Sequence, residues 1–254
     1  GFLVYKLASQ ATGARPVGVA ETNLTADVDA ILDAVSDKTK IVFLANPNNP
    51  TGTMIPASEV RRLHAGLHDN VLLVLDGAYA EYVGIADYED GFGLVEETQN
   101  VVTTRTFSKI YGLAALRLGW AYCPAPIAAV INRLRGPFNV STPAQLAGIV
   151  AIEDQAHVEA SIKHNDVWRD RLFQQISGAG FKVFPSHANF LLIKFDSENG
   201  LSASQAEQKL NERGLILRGL TAYGLPDALR LTIGTEEANE LVANVFLEMA
   251  ENNG

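Results

Sequence analysis

Three short, strongly apolar runs recur at a fixed interval in the first half of the chain: Ile41-Val-Phe-Leu-Ala45, Val71-Leu-Leu-Val-Leu75 and Val101-Val-Thr-Thr104. Their starts lie thirty residues apart, which is the length of a unit in which a helix returns the chain to a parallel neighbouring strand. Unbroken rather than alternating apolarity predicts strands buried on both faces. Between the first two runs a helix is expected, with Pro56 near its start, Val60, Leu63 and Leu67 at helical spacing, and an end near Asp69-Asn70. The second connection, through Gly84 and Gly91-Phe92-Gly93, is less regular. The fold class these features imply is α/β, doubly wound.

Composition removes several function classes. Apolar residues make up 47% and charged residues 19% of 254, a globular balance rather than a disordered one. A net charge of −9 argues against a nucleic-acid or anionic-membrane partner, both of which need clustered Lys and Arg. No run of eighteen apolar residues is present, so no membrane-spanning helix is expected. Cys123 is the single cysteine; it excludes an intrachain disulfide and a thiolate-rich metal site, and it fits a reducing cytoplasm. The histidines form no ligand set, because His64 and His68 at i, i+4 lack a third partner. Gly1-Phe-Leu-Val-Tyr5 reads as the interior of a folded unit, so a fragment lacking its N-terminal part is expected.

Further along, Leu118 to Tyr122 reads as a strand, Ile127 to Leu134 as a helix, and Pro137 to Pro143 as a break. An interrupted helical stretch runs from Ala144 to Ile176. Strands are expected at Phe181–Phe184, Ala188–Phe195, Leu215–Arg218 and Leu229–Ile233, with helices at Ser202–Arg213 and Glu236–Glu248. That order predicts a small α+β domain with antiparallel pairing. The expected division is a large domain over residues 1–140, a connecting helical segment over 141–176 and a small domain over 177–254.

The residues just past each buried strand carry the chemistry. Asn46-Pro-Asn-Asn-Pro-Thr-Gly52 succeeds the first, Asp76-Gly-Ala-Tyr79 the second, and Arg105-Thr-Phe-Ser-Lys109 the third, with Arg117 eight residues beyond the lysine. Open parallel sheets bind ligands at the carboxyl ends of their strands. A desolvated lysine there becomes an amine nucleophile, the raw material of a Schiff base. A carboxylate can hold a protonated ring nitrogen, and a phenol with an amide can bind a ring hydroxyl. Two hydroxyls and a guanidinium make a phosphate cradle. Together these describe a site for pyridoxal phosphate.

In order and spacing, these motifs resemble the fold-type I pyridoxal-phosphate aminotransferases, and within them the histidinol-phosphate aminotransferase branch. Thr106-Phe-Ser-Lys109 with Leu116-Arg-Leu-Gly119, Leu215-Ile-Leu-Arg218 and Leu229-Arg-Leu-Thr-Ile-Gly-Thr235 are similar to that branch as well. The resemblance implies an aspartate aminotransferase-like fold and a transaminase acting on histidinol phosphate with 2-oxoglutarate. It implies a cytoplasmic homodimer as the intact form, whose partners are a small-molecule amino donor and a 2-oxo acid acceptor. Lys109 then forms the Schiff base and moves the proton between Cα and the cofactor carbon. Asp76 pairs with the ring nitrogen, Asn49 and Tyr79 bind the ring hydroxyl, and Thr106, Ser108 and Arg117 take the phosphate. Phe2 falls where the family stacks an aromatic on the ring. Arg230 becomes the substrate carboxylate clamp and Arg218 the substrate phosphate site. The family also has, ahead of the position of Gly1, an arm, a first helix, a glycine-rich loop and a tyrosine donated across the dimer; these are expected in the missing part.

Each residue has a plainer reading when taken alone. Lys109 could be a solvated surface lysine, Asp76 a helix cap, Asn-Pro-Asn-Asn-Pro a turn, Arg117 an ion-pair residue, and Arg218 and Arg230 strand-edge charges. Aromatic amino-acid aminotransferases and phosphothreonine decarboxylases share the fold and stay open as alternatives. So does the aminotransferase-like sensing half of a regulator.

Overall fold

The computed structural model describes residues 1–196 and 200–251, which form two compact units. The first comprises residues 1–48 and 54–162, the second residues 49–53 and 163–254.

The first unit opens with helices α1 (Leu3–Ala11) and α2 (Val28–Ala34). Asp27 caps α2, accepting from the amide of Ala30 at 3.0 Å. The chain continues through β1 (Ile41–Ala45), α3 (Ala57–Gly66), β2 (Leu72–Asp76), α4 (Phe92–Glu97), β3 (Val101–Thr106) and β4 (Gly119–Tyr122). Helices α5 (Ala125–Leu134) and α6 (Thr142–Glu153) come next, and α7 (Gln155–Gly178) begins here and continues into the second unit.

The strands lie in the order β1-β2-β3-β4, parallel for the first three and antiparallel for the last. Register places Ala45 beside Asp76 and Asp76 beside Thr104, so the polar clusters after β1, β2 and β3 leave the sheet at one end. One face is packed: Val42, Leu44, Leu73 and Leu75 form a core with Val60 and Leu63 of α3 and Leu94 and Val95 of α4.

The expectation of burial on both faces is not met at the sheet edge. Ile41 and Phe43 are 46% and 37% exposed, because the helices of this core pack on the opposite face of β1. Helix α3 also ends earlier than its apolar spacing predicts. Its last turn closes at Leu67, and that residue enters the core from outside the helix.

In the second unit an antiparallel sheet runs β5 (Lys182–Phe184), β6 (Phe190–Lys194), β8 (Leu225–Thr232), β7 (Arg218–Leu220), with α8 (Ala203–Glu212) and α9 (Glu236–Glu251). Alternation sorts its faces. Leu191, Ile193, Leu229 and Leu231 pack with Trp168, Leu172 and Ile176 of α7, Leu210 of α8 and Phe246 of α9, whereas Arg230 lies between two core leucines and points to the other face. Ser202 and Gln205 form a reciprocal capping box on α8.

The strand expected at Leu215–Arg218 begins only at Arg218. Gly214, at φ +75°, turns the chain out of α8, and the amide of Leu215 donates back to the carbonyl of Leu210 at 2.9 Å. Residues 215–217 are spent on that exit, leaving Ile216 87% exposed.

Candidate active site

In the first unit the ends of β2 and β3 bring together Asp76, Tyr79, Thr106, Ser108 and Lys109. Asp76 is the last residue of β2, and both its oxygens are engaged. Oδ1 accepts from the amide of Ala78 at 3.0 Å, and Oδ2 accepts from the hydroxyl of Tyr5. Gly77 then lets the chain turn against Arg105: a Cβ at that position would lie 1.9 Å from Nη1 of the guanidinium. Tyr79 is buried, and the Lys109 ammonium stands 5.1 Å from the centre of its ring.

Lys109 sits in a tight loop rather than on a regular element. Its carbonyl accepts from Gly112 at 2.9 Å, the Phe107 carbonyl accepts from Leu113 at 2.9 Å, and His157 Nε2 lies 3.0 Å from the Ile110 carbonyl. The Ser108 amide donates to Thr106 Oγ1 at 3.0 Å, which ties the Thr106 side chain to the loop backbone. Arg117 adopts the left-handed region at φ +53°, unusual for a side chain of its size. Its Nη1 donates to the Ala114 carbonyl at 2.6 Å. Phe2 is 40% exposed and meets the ring of Tyr5 edge-on at 6.0 Å.

Two asparagines of the turn after β1 are held by protein partners. Asn46 is structural: its side chain exchanges hydrogen bonds with both backbone groups of Ile55, at 3.0 and 3.1 Å. Asn48 Nδ2 donates to Glu21 Oε1 at 2.7 Å.

Asn49 belongs to the second unit, where Arg230 Nη1 donates to its Oδ1. Arg218 and Arg230 are direct cross-strand partners on β7 and β8, so both cations project from one face. Gly52, at φ +75°, lies against Ser186, and its carbonyl accepts from the His187 amide at 2.8 Å.

A polar cluster behind Asp76 lies outside the sequence-predicted set. Arg105 is buried and donates to Thr103 Oγ1, the Thr104 carbonyl and the Asp90 carbonyl at 2.9 to 3.1 Å. Phe92 covers its plane at 5.2 Å, and Glu81 Oε1 lies 3.9 Å from its Nε. Oε2 of Glu81 is buried without a hydrogen bond, and burial pushes this carboxyl above the ordinary range despite Arg105. Burial likewise raises the phenol of Tyr88, whose hydroxyl donates to the Asn46 carbonyl at 2.7 Å. A charged residue inside an apolar strand was the one sequence signal for this cluster.

Among the described residues no group of His, Cys, Asp and Glu could hold a metal ion, and no helix is long and apolar enough to cross a membrane.

The sequence profile described as aminotransferase class I and II matches residues 2–246. A histidinol-phosphate aminotransferase of Rhodopseudomonas palustris (strain BisA53) is 60% identical over 98% of this chain and 68% of its own length. One from Nitrobacter winogradskyi is 58% identical over 96% of this chain and 67% of its own. The chain thus spans about two thirds of the length of these relatives. The crystal structure of histidinol-phosphate aminotransferase from Sinorhizobium meliloti in complex with pyridoxal-5'-phosphate superposes with a TM-score of 0.90 at 27% identity, covering 99% of this chain and 68% of that one.

Proposed function

The chain belongs to the class I and II aminotransferase family, and on that premise we propose that it transfers the amino group of histidinol phosphate to 2-oxoglutarate in histidine biosynthesis. Its relatives at about 60% identity carry that activity in their names. The cofactor is pyridoxal 5'-phosphate, and the donor set fits it. An amine, a carboxylate fixed at both oxygens, a buried phenol, two hydroxyls and a guanidinium are the partners that an aldehyde, a ring nitrogen, a ring hydroxyl and a phosphate require. When bound, it supplies an electron sink for the charge that develops at the substrate Cα.

The protein's own residues do the rest. Lys109 holds the cofactor and carries the proton from Cα. Asp76 keeps a proton on the ring nitrogen, since a fixed carboxylate stabilises the cationic form. Thr106 Oγ1 accepts from the Ser108 amide and keeps its own hydrogen as a donor. With Ser108 and Arg117 it takes the phosphate. Phe2 supplies the ring contact, and Asn49 and Tyr79 serve the ring hydroxyl. These roles follow the family resemblance residue by residue.

The pairing of Arg218 with Arg230 carries the substrate assignment. Two like charges placed directly opposite on a sheet are unfavourable unless anions neutralise them. Glutamate brings carboxylates and histidinol phosphate brings a phosphate, and the two alternate in the two halves of a transamination. Arg218→Ala should raise KM for histidinol phosphate well above its effect on glutamate. Equal effects on both substrates would sink the phosphate assignment and favour an aromatic amino-acid substrate. Absence of turnover with any amino donor would favour a sensing module.

The intact protein is proposed to be a cytoplasmic homodimer. Leu134, Phe138, Leu146, Ile149 and Val150 are 56 to 97% exposed along α5, α6 and their connection, more apolar surface than an isolated protein ordinarily leaves in water. A monomer by light scattering at working concentrations would remove this.

A further inference from the structure

Asp76 carries a contact that none of the proposed cofactor roles requires. Tyr5, on α1, donates from its hydroxyl to Oδ2, while the Ala78 amide holds Oδ1 at 3.0 Å. The phenol is not a loose arm. Its ring stacks on Phe43 of β1 at 4.9 Å and 10°, and Phe2 closes its edge at 6.0 Å. Because β1 and β2 are paired in register from Ile41–Leu72 to Ala45–Asp76, the strand that fixes the ring is the neighbour of the strand that ends in the carboxylate. The donor and acceptor, 71 residues apart, are therefore set by one sheet.

We propose that Tyr5 is a positioning residue that sets the direction of the Asp76 carboxylate toward the cofactor's ring nitrogen, an inference that rests on the cofactor reading above. A carboxylate aimed at the ring nitrogen holds a proton there, and one turned away does not. Two donors, one backbone and one side-chain, each on its own oxygen, stop the carboxylate from rotating. The contact does not block the ring nitrogen, because each carboxylate oxygen has two acceptor sites and Oδ2 can serve two donors at once.

The test compares wild-type protein with Tyr5→Phe, which keeps the stacked ring and removes only the hydroxyl. Each is loaded with pyridoxal phosphate labelled with 15N at the ring nitrogen. The measurements are the nitrogen chemical shift, the cofactor dissociation constant, the visible spectrum and Tm. In Tyr5→Phe the nitrogen signal should move toward unprotonated pyridine, and the dissociation constant should rise roughly tenfold, the scale of one hydrogen bond to a charged group. Phe43→Leu, which loosens the ring but keeps the hydroxyl, should move both readouts the same way by less. A lower Tm with an unchanged nitrogen signal and dissociation constant would make the bond purely structural and overturn the proposal. So would a variant identical to wild type throughout. Wild-type protein that takes up no cofactor would overturn the functional reading as well, and the wild-type arm separates the two failures.

Discussion

Nη1 of Arg230 donates to Oδ1 of Asn49 at 2.6 Å, joining two residues 181 positions apart in the chain. The plane of the guanidinium lies over Phe190, with Cζ 4.9 Å from the ring centre, and its Nε is buried without a hydrogen bond. The cation is thus oriented from one side and from behind. Asn49→Ala should leave a second donor unpaired and cost about 1–3 kcal/mol in urea unfolding. On the proposed roles of Arg230 as carboxylate clamp and Asn49 at the ring hydroxyl, KM for glutamate and the cofactor dissociation constant should both rise. Steady-state kinetics with both amino donors and a cofactor titration read these directly.

Lys109→Ala removes the amine that stands over Tyr79 but none of the groups at Asp76, Thr106, Ser108 or Arg117. The variant should still bind pyridoxal phosphate, and turnover should fall by roughly a hundred- to ten-thousand-fold or more, the contribution of a positioned general base. Borohydride reduction followed by mass spectrometry of the wild type should mark Lys109 alone. A label on Lys40 or Lys163 would refute the assignment.

Gly52→Ala tests the packing of the loop after β1. The added Cβ would fall 2.2 Å from Ser186 Oγ and 3.2 Å from Ser186 Cα, at a φ of +75°. Overpacking and the left-handed backbone together should cost about 2–5 kcal/mol. Adding Ser186→Gly should recover the steric part and leave the backbone part, so the two contributions separate in a pair of denaturation curves.

Glu81→Gln should stabilise the protein at neutral pH. Burial holds the carboxyl above its ordinary pKa of 4.5, so the folded state binds the proton more tightly than the unfolded chain. The stability linked to this proton is fully present below 4.5 and is lost as pH rises through the raised value. Glutamine has no charge to desolvate there. The gain over wild type should therefore be largest above neutrality and shrink toward pH 4. Melting curves across that range give the sign, and a gain that grows toward acid would contradict it.

The apolar runs and the polar clusters behind them were legible because strand burial and strand-end chemistry are local properties of sequence. Asp76, Lys109 and Arg117 could be found by their distance from a run. Arg230 could be placed on its face by the leucines on either side of it. Helix α2 rests on equally local features, Asp27 as cap and Val28, Ile31 and Leu32 at helical spacing. Tyr5 and Asn49 were different. Their partners lie 71 and 181 residues away, and nothing local in Tyr5-Lys-Leu or Asn49-Pro-Thr specifies them. The Arg105–Glu81 cluster depends on the missing side chain of Gly77, which a sequence displays without saying what occupies the space.

Residues 49–53 belong to the second unit although both flanks of that segment belong to the first. The smaller unit is therefore not a contiguous stretch of gene. Transplanting residues 163–254 into another scaffold would carry Arg230 and Ser186 but would leave the acceptor of one and the glycine neighbour of the other to be supplied by the host. Recombination between relatives at a crossover near α7 should succeed only where the recipient's five-residue insert already matches the incoming sheet.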